Sequence, residues 1–130
     1  NSGSLNLFDA ASGVAYTLPT PAVGLVYDFV VTVLQTGGTN SVITAATGTQ
    51  FISGYITMFS DVDVTPSNLL GPKGFAGNGT SHVKINTNET TTGGGIGSWL
   101  RLVGVSTTVC QAYGILRSPS GTIATPFLVA

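Results

Sequence analysis

The chain has 130 residues, of which only 7% are charged, and its formal net charge is −1. This length suits one domain with a real core, whereas an ordinary soluble domain carries about 25% charged residues. A surface made of Thr, Ser, Asn and Gly opposes association weakly, which favours a protein packed against copies of itself or a larger body. The four cations are too scattered to neutralise a row of phosphates, which excludes nucleic acid as a partner.

The most apolar run, LVYDFVVTVL at residues 25–34, is about half the length needed to cross a bilayer, and it contains Asp28. We therefore expect no membrane partner. The single cysteine, Cys110, rules out an internal disulfide.

Apolar residues alternate with polar ones along most of the chain, which is the period of a β-strand. The pattern begins near the start of the chain, is clearest in Tyr27–Val33, and recurs between turn-rich pieces such as TGGTN, GPKGFAGNG and SPSG. The predicted strands are Leu5–Asp9, Val14–Leu18, Tyr27–Val33, Ser41–Ala45, Phe51–Phe59, Ser81–Asn86, Trp99–Val105 and Thr108–Leu116. About eight short strands and no helix predict one all-β domain over residues 1–130, either an antiparallel β-sandwich or a jelly-roll-like barrel.

Residues 61–80, DVDVTPSNLLGPKGFAGNGT, form the longest irregular piece. We predict either a protruding contact loop or a solvated connection here. Leu69, Leu70 and Phe75 make the segment more apolar than a plain tether.

The glycines of TTTGGGIGSWLRLVGV (residues 90–105) resemble a phosphate-binding loop at first sight. A phosphate loop must lead into a helix. Here Trp99, Arg101 and Val103 alternate with Leu100 and Leu102 as in a strand. The pattern favours a small-residue bend, at a surface where another subunit comes close, with Trp99 as a core or interface anchor.

The residue inventory argues against an enzyme. His82 is the one histidine, and alternation predicts that it faces solvent with Lys84. Cys110 has the pattern of a small buried thiol. Asp61 and Asp63 are two residues apart, a spacing that suits a turn better than a hydrolase or a cation site. We therefore expect no catalytic residue, no metal and no cofactor.

Two segments, Asn78-Gly79-Thr80 and Asn88-Glu89-Thr90, have the form of glycosylation sequons. In a chain so rich in Asn and Thr they occur by chance. We interpret both asparagines as turn residues.

Three stretches carry a resemblance to a known family: LPTPAVGLVYDFVV at 18–31, TTTGGGIGSWLRLVGV at 90–105, and YGIL at 113–116 with the ending GTIATPFLVA. Together they resemble small structural proteins of tailed phages, especially the capsid decoration, or cement, proteins of marine and cyanobacterial phages. The resemblance implies an all-β, often trimeric protein on the outer capsid surface of the virion. It further implies the major capsid protein and copies of the chain itself as partners, and no catalytic residues.

The segments Leu5–Phe8 and Pro126–Val129 are apolar for the ends of a chain. One hypothesis is that they dock on a neighbouring subunit or on the capsid, and the other is that both are ordinary strands of their own domain. The candidate interface residues are Leu5, Leu7, Phe8, Phe75, Phe127 and Leu128.

Two rival functions stay open. One is a tail or fibre appendage that binds a host receptor, and the other is a sugar-binding β-sandwich. A sugar site would recruit exposed aromatic residues, for which Tyr55, Trp99 and Tyr113 are the candidates, although aromatic residues at strand period are more often core.

Overall fold

The computed structural model describes residues 2–36, 38, 40–60, 72–119 and 123–129. Within these residues the chain forms ten β-strands and no helix, so the prediction of an all-β fold is confirmed. The strands are β1 (Leu5–Phe8), β2 (Ala15–Thr17), β3 (Val26–Val31), β4 (Asn40–Thr44), β5 (Phe51–Ser60), β6 (Lys73–Asn78), β7 (His82–Asn88), β8 (Trp99–Gly104), β9 (Val109–Ser118) and β10 (Phe127–Val129). No helix of the described chain is long and apolar enough to cross a membrane.

The strands form two sheets that share one core. The large sheet has six strands in the order β1-β3-β8-β9-β5-β6, and the small sheet has four in the order β10-β7-β4-β2. Both sheets are mixed, because β1 with β3, β2 with β4 and β5 with β9 run parallel. The predicted β-sandwich is therefore confirmed, although its sheets are mixed and not purely antiparallel. Of the two predicted architectures the structure shows the sandwich and not the barrel, since both sheets are open.

All eight predicted strands are present, with small differences at their ends, and two were missed. One is β6, which occupies Lys73–Asn78 inside the predicted irregular segment. Its sequence, KGFAGN, has no clear alternation because two of its six residues are glycine. The other is the three-residue β10. Residues 61–71, with Asp61, Asp63, Leu69 and Leu70, lie outside the described part of the chain.

The core lies between the sheets and is filled by the inward residues of each strand. The buried hydrophobic residues are Phe8, Leu18, Tyr27, Phe29, Val31, Ile43, Ile52, Ile56, Met58, Ile85, Leu100, Leu102, Cys110, Ala112, Leu116 and Phe127. Each large side chain of this kind contributes about 1.5–3 kcal/mol when fully buried. Where β1 approaches β2, the side of the core is covered by the rings of Phe8, Tyr16 and Phe29. Their centroids are 5.4–5.8 Å apart.

A buried polar network fastens the connection after β3 to the small sheet. Gln35 is fully buried, and its Nε2 donates to Thr87 Oγ1 at 3.0 Å. The Gln35 Oε1 accepts from the backbone N–H of Ser41 at 3.3 Å. Because a buried polar group without a partner is costly, these three residues hold one arrangement of β3, β4 and β7.

The glycines of residues 93–97 serve packing inside the chain. Gly93, Gly94 and Gly95 are buried, and Gly94 forms a parallel bridge with Arg117 at the end of β9. A Cβ on Gly94 would collide with the carbonyl of Asn88. Contacts with β9 and Asn88 of the same chain therefore account for the three buried glycines, and the approach of another subunit to this bend stays a prediction.

Candidate interaction surfaces

The outer face of the large sheet carries exposed aromatic side chains. Leu100 and Leu102 of β8 point into the core, so Trp99 points outward and is 42% exposed. In the same way Tyr113 of β9 is 43% exposed and Tyr55 of β5 is 55% exposed. None of these three aromatics is a core residue, which settles the alternative that the strand period left open.

The strand register places these residues side by side. Tyr55 and Tyr113 are direct partners in the parallel pair of β5 and β9, and Tyr113 is the partner of Arg101 in β8. Trp99 lies two positions before Arg101 on the same face. Neighbouring strands are about 4.8 Å apart, so the three rings extend over roughly 10 Å of sheet. The aromatic face is defined here as Tyr55, Phe59, Trp99, Tyr113 and Ile115, all exposed.

The two tyrosine rings lie along the sheet instead of standing upright on it. A Cβ on Gly74 of β6 would occupy the space of the Tyr55 hydroxyl, so the Tyr55 ring crosses the edge strand over this glycine. The Tyr113 hydroxyl donates to Oε1 of Gln111, two residues earlier on the same strand. The Tyr113 ring is therefore held at its far end by a hydrogen bond, and the far end of the Tyr55 ring lies over Gly74.

One ion pair lies beside these rings. Arg101 Nε donates to Asp28 Oδ1 at 2.8 Å and Arg101 Nη2 to Asp28 Oδ2 at 2.9 Å, across the antiparallel pair of β8 and β3. The hydrogen bonds from Arg101 lower the pKa of the Asp28 carboxyl, and the same bonds raise the pKa of the Arg101 guanidinium. Two parallel hydrogen bonds fix the relative orientation of the two side chains, and the opposite charges of the pair sum to zero.

Exposed apolar residues also lie on β1 and β10. On β1, Leu5 is 61% exposed and Leu7 is exposed at the edge of the large sheet. On β10, Leu128 is exposed and Val129 is 58% exposed at the edge of the small sheet. We call Leu5 and Leu7 the edge group of β1, and Leu128 and Val129 the edge group of β10.

The other three candidate interface residues face inward. Phe8 and Phe127 are buried in the core of this chain, and Phe75 is partly buried against it. Their apolar character is explained by packing in their own domain. Leu5, Leu7 and Leu128 remain the surface members of the candidate set.

The residues of catalytic type lie apart. Cys110 is buried in the large sheet, where burial raises the pKa of its thiol. His82 begins β7 in the small sheet, and its ring stacks on Phe127 with centroids 5.6 Å apart, so it is half-buried and not simply solvent-facing as predicted. Its Nδ1 accepts from the N–H of Asn78 at 3.1 Å. No three His, Cys, Asp or Glu side chains meet at a metal site within the described ranges.

Both sequon asparagines organise turns. Asn78 Oδ1 accepts from the backbone N–H groups of Thr80, Ser81 and His82. Asn88 Oδ1 accepts in the same way from the N–H groups of residues 90, 91 and 92. These turns end β6 and β7, in agreement with the interpretation of the asparagines as turn residues.

No family model, curated protein or solved structure matches the chain. Function must therefore be argued from the surfaces themselves. Sequence reasoning named the three aromatics and three of the four edge residues, but it missed Gly74, Gln111 and the Asp28–Arg101 pair. The roles of these residues depend on which strands are neighbours in the sheet. The one signal in the sequence was the strong alternation of β3 and β8, which indicates that Asp28 and Arg101 both face outward.

Proposed function

We propose that this chain is a non-enzymatic structural protein of a virion, a decoration protein that binds the outer capsid and ties neighbouring major capsid proteins together. The observation that carries the proposal is the exposure of apolar residues at two separate edges, Leu5 and Leu7 on β1 and Leu128 and Val129 on β10. The resemblance of the sequence to phage decoration proteins points in the same direction.

The two edges lie on opposite sides of the sandwich. The strand β1 lies beside β2, where Tyr16 donates to the carbonyl of Leu7 at 2.9 Å. The strand β10 contacts β6, which is the other end of the large sheet. Five steps between strands separate the two sides, or roughly 24 Å. A protein with an apolar contact on each side can engage two neighbours at once, and such double engagement turns modest contacts into high avidity.

The low charge of the chain suits this role. The centre of a protein interface is depleted of charged residues. Because only 7% of the residues are charged, docking removes few charged groups from water, and the desolvation cost is small. We further propose a homotrimer, as in the resembled family, in which one edge group contacts a copy of the chain and the other contacts the capsid.

The test is binding to capsids purified without the decoration protein. The chain should bind at a fixed number of copies per capsid, as measured by co-sedimentation and quantitative gel analysis. Replacing Leu5 and Leu7 with Ser, or Leu128 and Val129 with Ser, should weaken binding at least about tenfold, because truncating buried apolar anchors costs more than 1 kcal/mol. Val23→Ser is the matched control, since Val23 is an exposed apolar residue in the turn before β3. Absence of binding by the unaltered chain would refute the proposal.

A second candidate is a tail or fibre appendage that binds a host receptor. It is favoured by the aromatic face, which the decoration role does not use. A chain that bound host cells while ignoring capsids would establish this second function over the first.

A further inference from the structure

We propose that the aromatic face of the large sheet binds neutral oligosaccharides, with sugar rings stacking on Tyr55 and Tyr113 and with Trp99 extending the platform. This site goes beyond the capsid-binding role and does not rest on it, because none of the residues of the aromatic face belongs to the edge groups.

The orientation of the two tyrosine rings suits stacking. An aromatic ring that stands upright on a sheet offers its edge to a ligand, whereas a ring that lies along the sheet offers its face. Tyr55 lies across Gly74, and Ala76, the direct partner of Tyr55, is the other small residue beneath it. Tyr113 is held along its own strand by its hydrogen bond to Gln111. Both rings thus present a flat apolar surface, which the C–H groups on one face of a pyranose ring match.

The Tyr113 ring is also held in place before any ligand arrives, because Gln111 accepts a hydrogen bond from its hydroxyl. Gly74 leaves room for the Tyr55 hydroxyl over the edge strand. A ligand that stacks on Tyr113 therefore loses little affinity to the ordering of that side chain.

The charges on the aromatic face favour a neutral ligand. Three charged residues lie on this face. Asp28 and Arg101 pair with each other through two hydrogen bonds at 2.8 and 2.9 Å, and Arg117, opposite Phe59, donates to the carbonyl of Ile96. A nucleic acid or an acidic glycan would need unpaired cations beside the stacking rings. A neutral sugar does not, and its hydroxyl groups can donate to the remaining lone pairs of Asp28 or accept from Arg101 and from the amide of Gln111.

The shape of the aromatic face favours an extended ligand. The three rings lie on three neighbouring strands, β8, β9 and β5, and so cover an open strip and not an enclosed pocket. A strip roughly 10 Å long fits a short stretch of a sugar chain better than a single sugar. The small sheet offers no such surface, because its outward residues in β2 and β4 include Ala15, Thr17, Val42 and Thr44.

The experiment uses Trp99, the one tryptophan of the chain, as its reporter. The intact chain is titrated with cello-, xylo-, manno-, malto- and galacto-hexasaccharides up to about 10 mM, a range that detects even millimolar affinity. Trp99 fluorescence and amide chemical shifts are followed. At least one of these sugars should shift the Trp99 emission and the amide signals of β5, β8 and β9.

The variants separate stacking from general damage. Tyr55→Ala and Tyr113→Ala should each weaken binding at least about tenfold, whereas Tyr55→Phe should stay within about threefold, because the ring carries the stacking. Gly74→Val should weaken binding like Tyr55→Ala, since a side chain there pushes the Tyr55 ring off the edge strand. Leu5→Ser with Leu7→Ser should leave sugar binding unchanged while weakening capsid binding, so failures of the two proposals are distinguishable.

Three results would overturn the proposal. One is that no hexasaccharide changes either signal. Another is that binding survives both tyrosine-to-alanine changes. The third is that Tyr55→Ala abolishes capsid binding while no sugar binds, which would make the face a protein interface.

Discussion

Replacing Gln35 with Ala should destabilise the chain strongly, although this residue lies outside every strand. Its amide connects the segment after β3 to β4 and β7, through Ser41 at 3.3 Å and Thr87 at 3.0 Å. Its side chain has no exposed surface. Water therefore cannot replace the lost hydrogen bonds unless the packing opens.

The magnitude follows from what the truncation leaves behind. The N–H of Ser41 loses its acceptor, and an unsatisfied buried donor costs about 1–3 kcal/mol. Thr87 keeps its contact with the carbonyl of Ser41 at 3.3 Å, so its hydroxyl stays satisfied. The one lost methylene group, Cγ, adds about 0.8 kcal/mol. The sum is about 3 kcal/mol, which for a domain of this size lowers the Tm by about 10 °C.

Urea unfolding followed by circular dichroism and by Trp99 fluorescence measures the effect. Gln111→Ala is the matched control, because Gln111 lies on the outer face and its truncation should change stability by less than about 0.5 kcal/mol. In a double-mutant cycle, Gln35→Ala and Thr87→Val should be less than additive, since both break one network. Equal effects of Gln35→Ala and Gln111→Ala would refute the reasoning.

Two further predictions concern the large sheet. Gly54→Ala should lower the free energy of unfolding by at least about 2 kcal/mol, because Gly54 has φ +106° and a Cβ there meets the carbonyl of Ala112. Gly48→Ala is the control and should be nearly neutral in the same urea assay, since a Cβ on Gly48 meets open space. Equal losses of stability in the two variants would contradict this prediction. The Asp28 carboxyl should titrate below 3.8 by NMR, and Arg101→Gln should raise its midpoint. Since the folded pKa is lowered, this stabilisation is present above the unfolded pKa and is lost as the pH falls through the folded value; an unshifted midpoint would exclude the ion pair.

Alternation of apolar residues was enough to predict the strands, because one face of each strand must fill the core. It failed for β6, where Gly74 and Gly77 remove the pattern, and for β10, which is too short to show one. Both strands form because a neighbouring strand supplies hydrogen-bond partners, β5 for β6 and β7 for β10.

The pairing of the strands could not be predicted from the sequence, for a different reason. The parallel pair of β5 and β9 joins Phe51–Ser60 to Val109–Ser118, segments that are far apart in the chain, and a local pattern contains no information about distant partners. The same limit applies to the aromatic face. Tyr113 and Ile115 alternate with Ala112 and Leu116, so apolar residues occupy both faces in the middle of β9, and the packed structure decides which of them are buried.

A cryo-electron map of capsids saturated with the purified chain shows directly whether the chain ties the shell together through its two edges. We expect a β-sandwich on the outer surface, with one of β1 and β10 against the capsid, the other against a neighbouring copy of the chain, and the aromatic face turned to solvent. A map in which the chain is absent from the shell, or touches it only through Tyr55, Trp99 and Tyr113, would rule out this role.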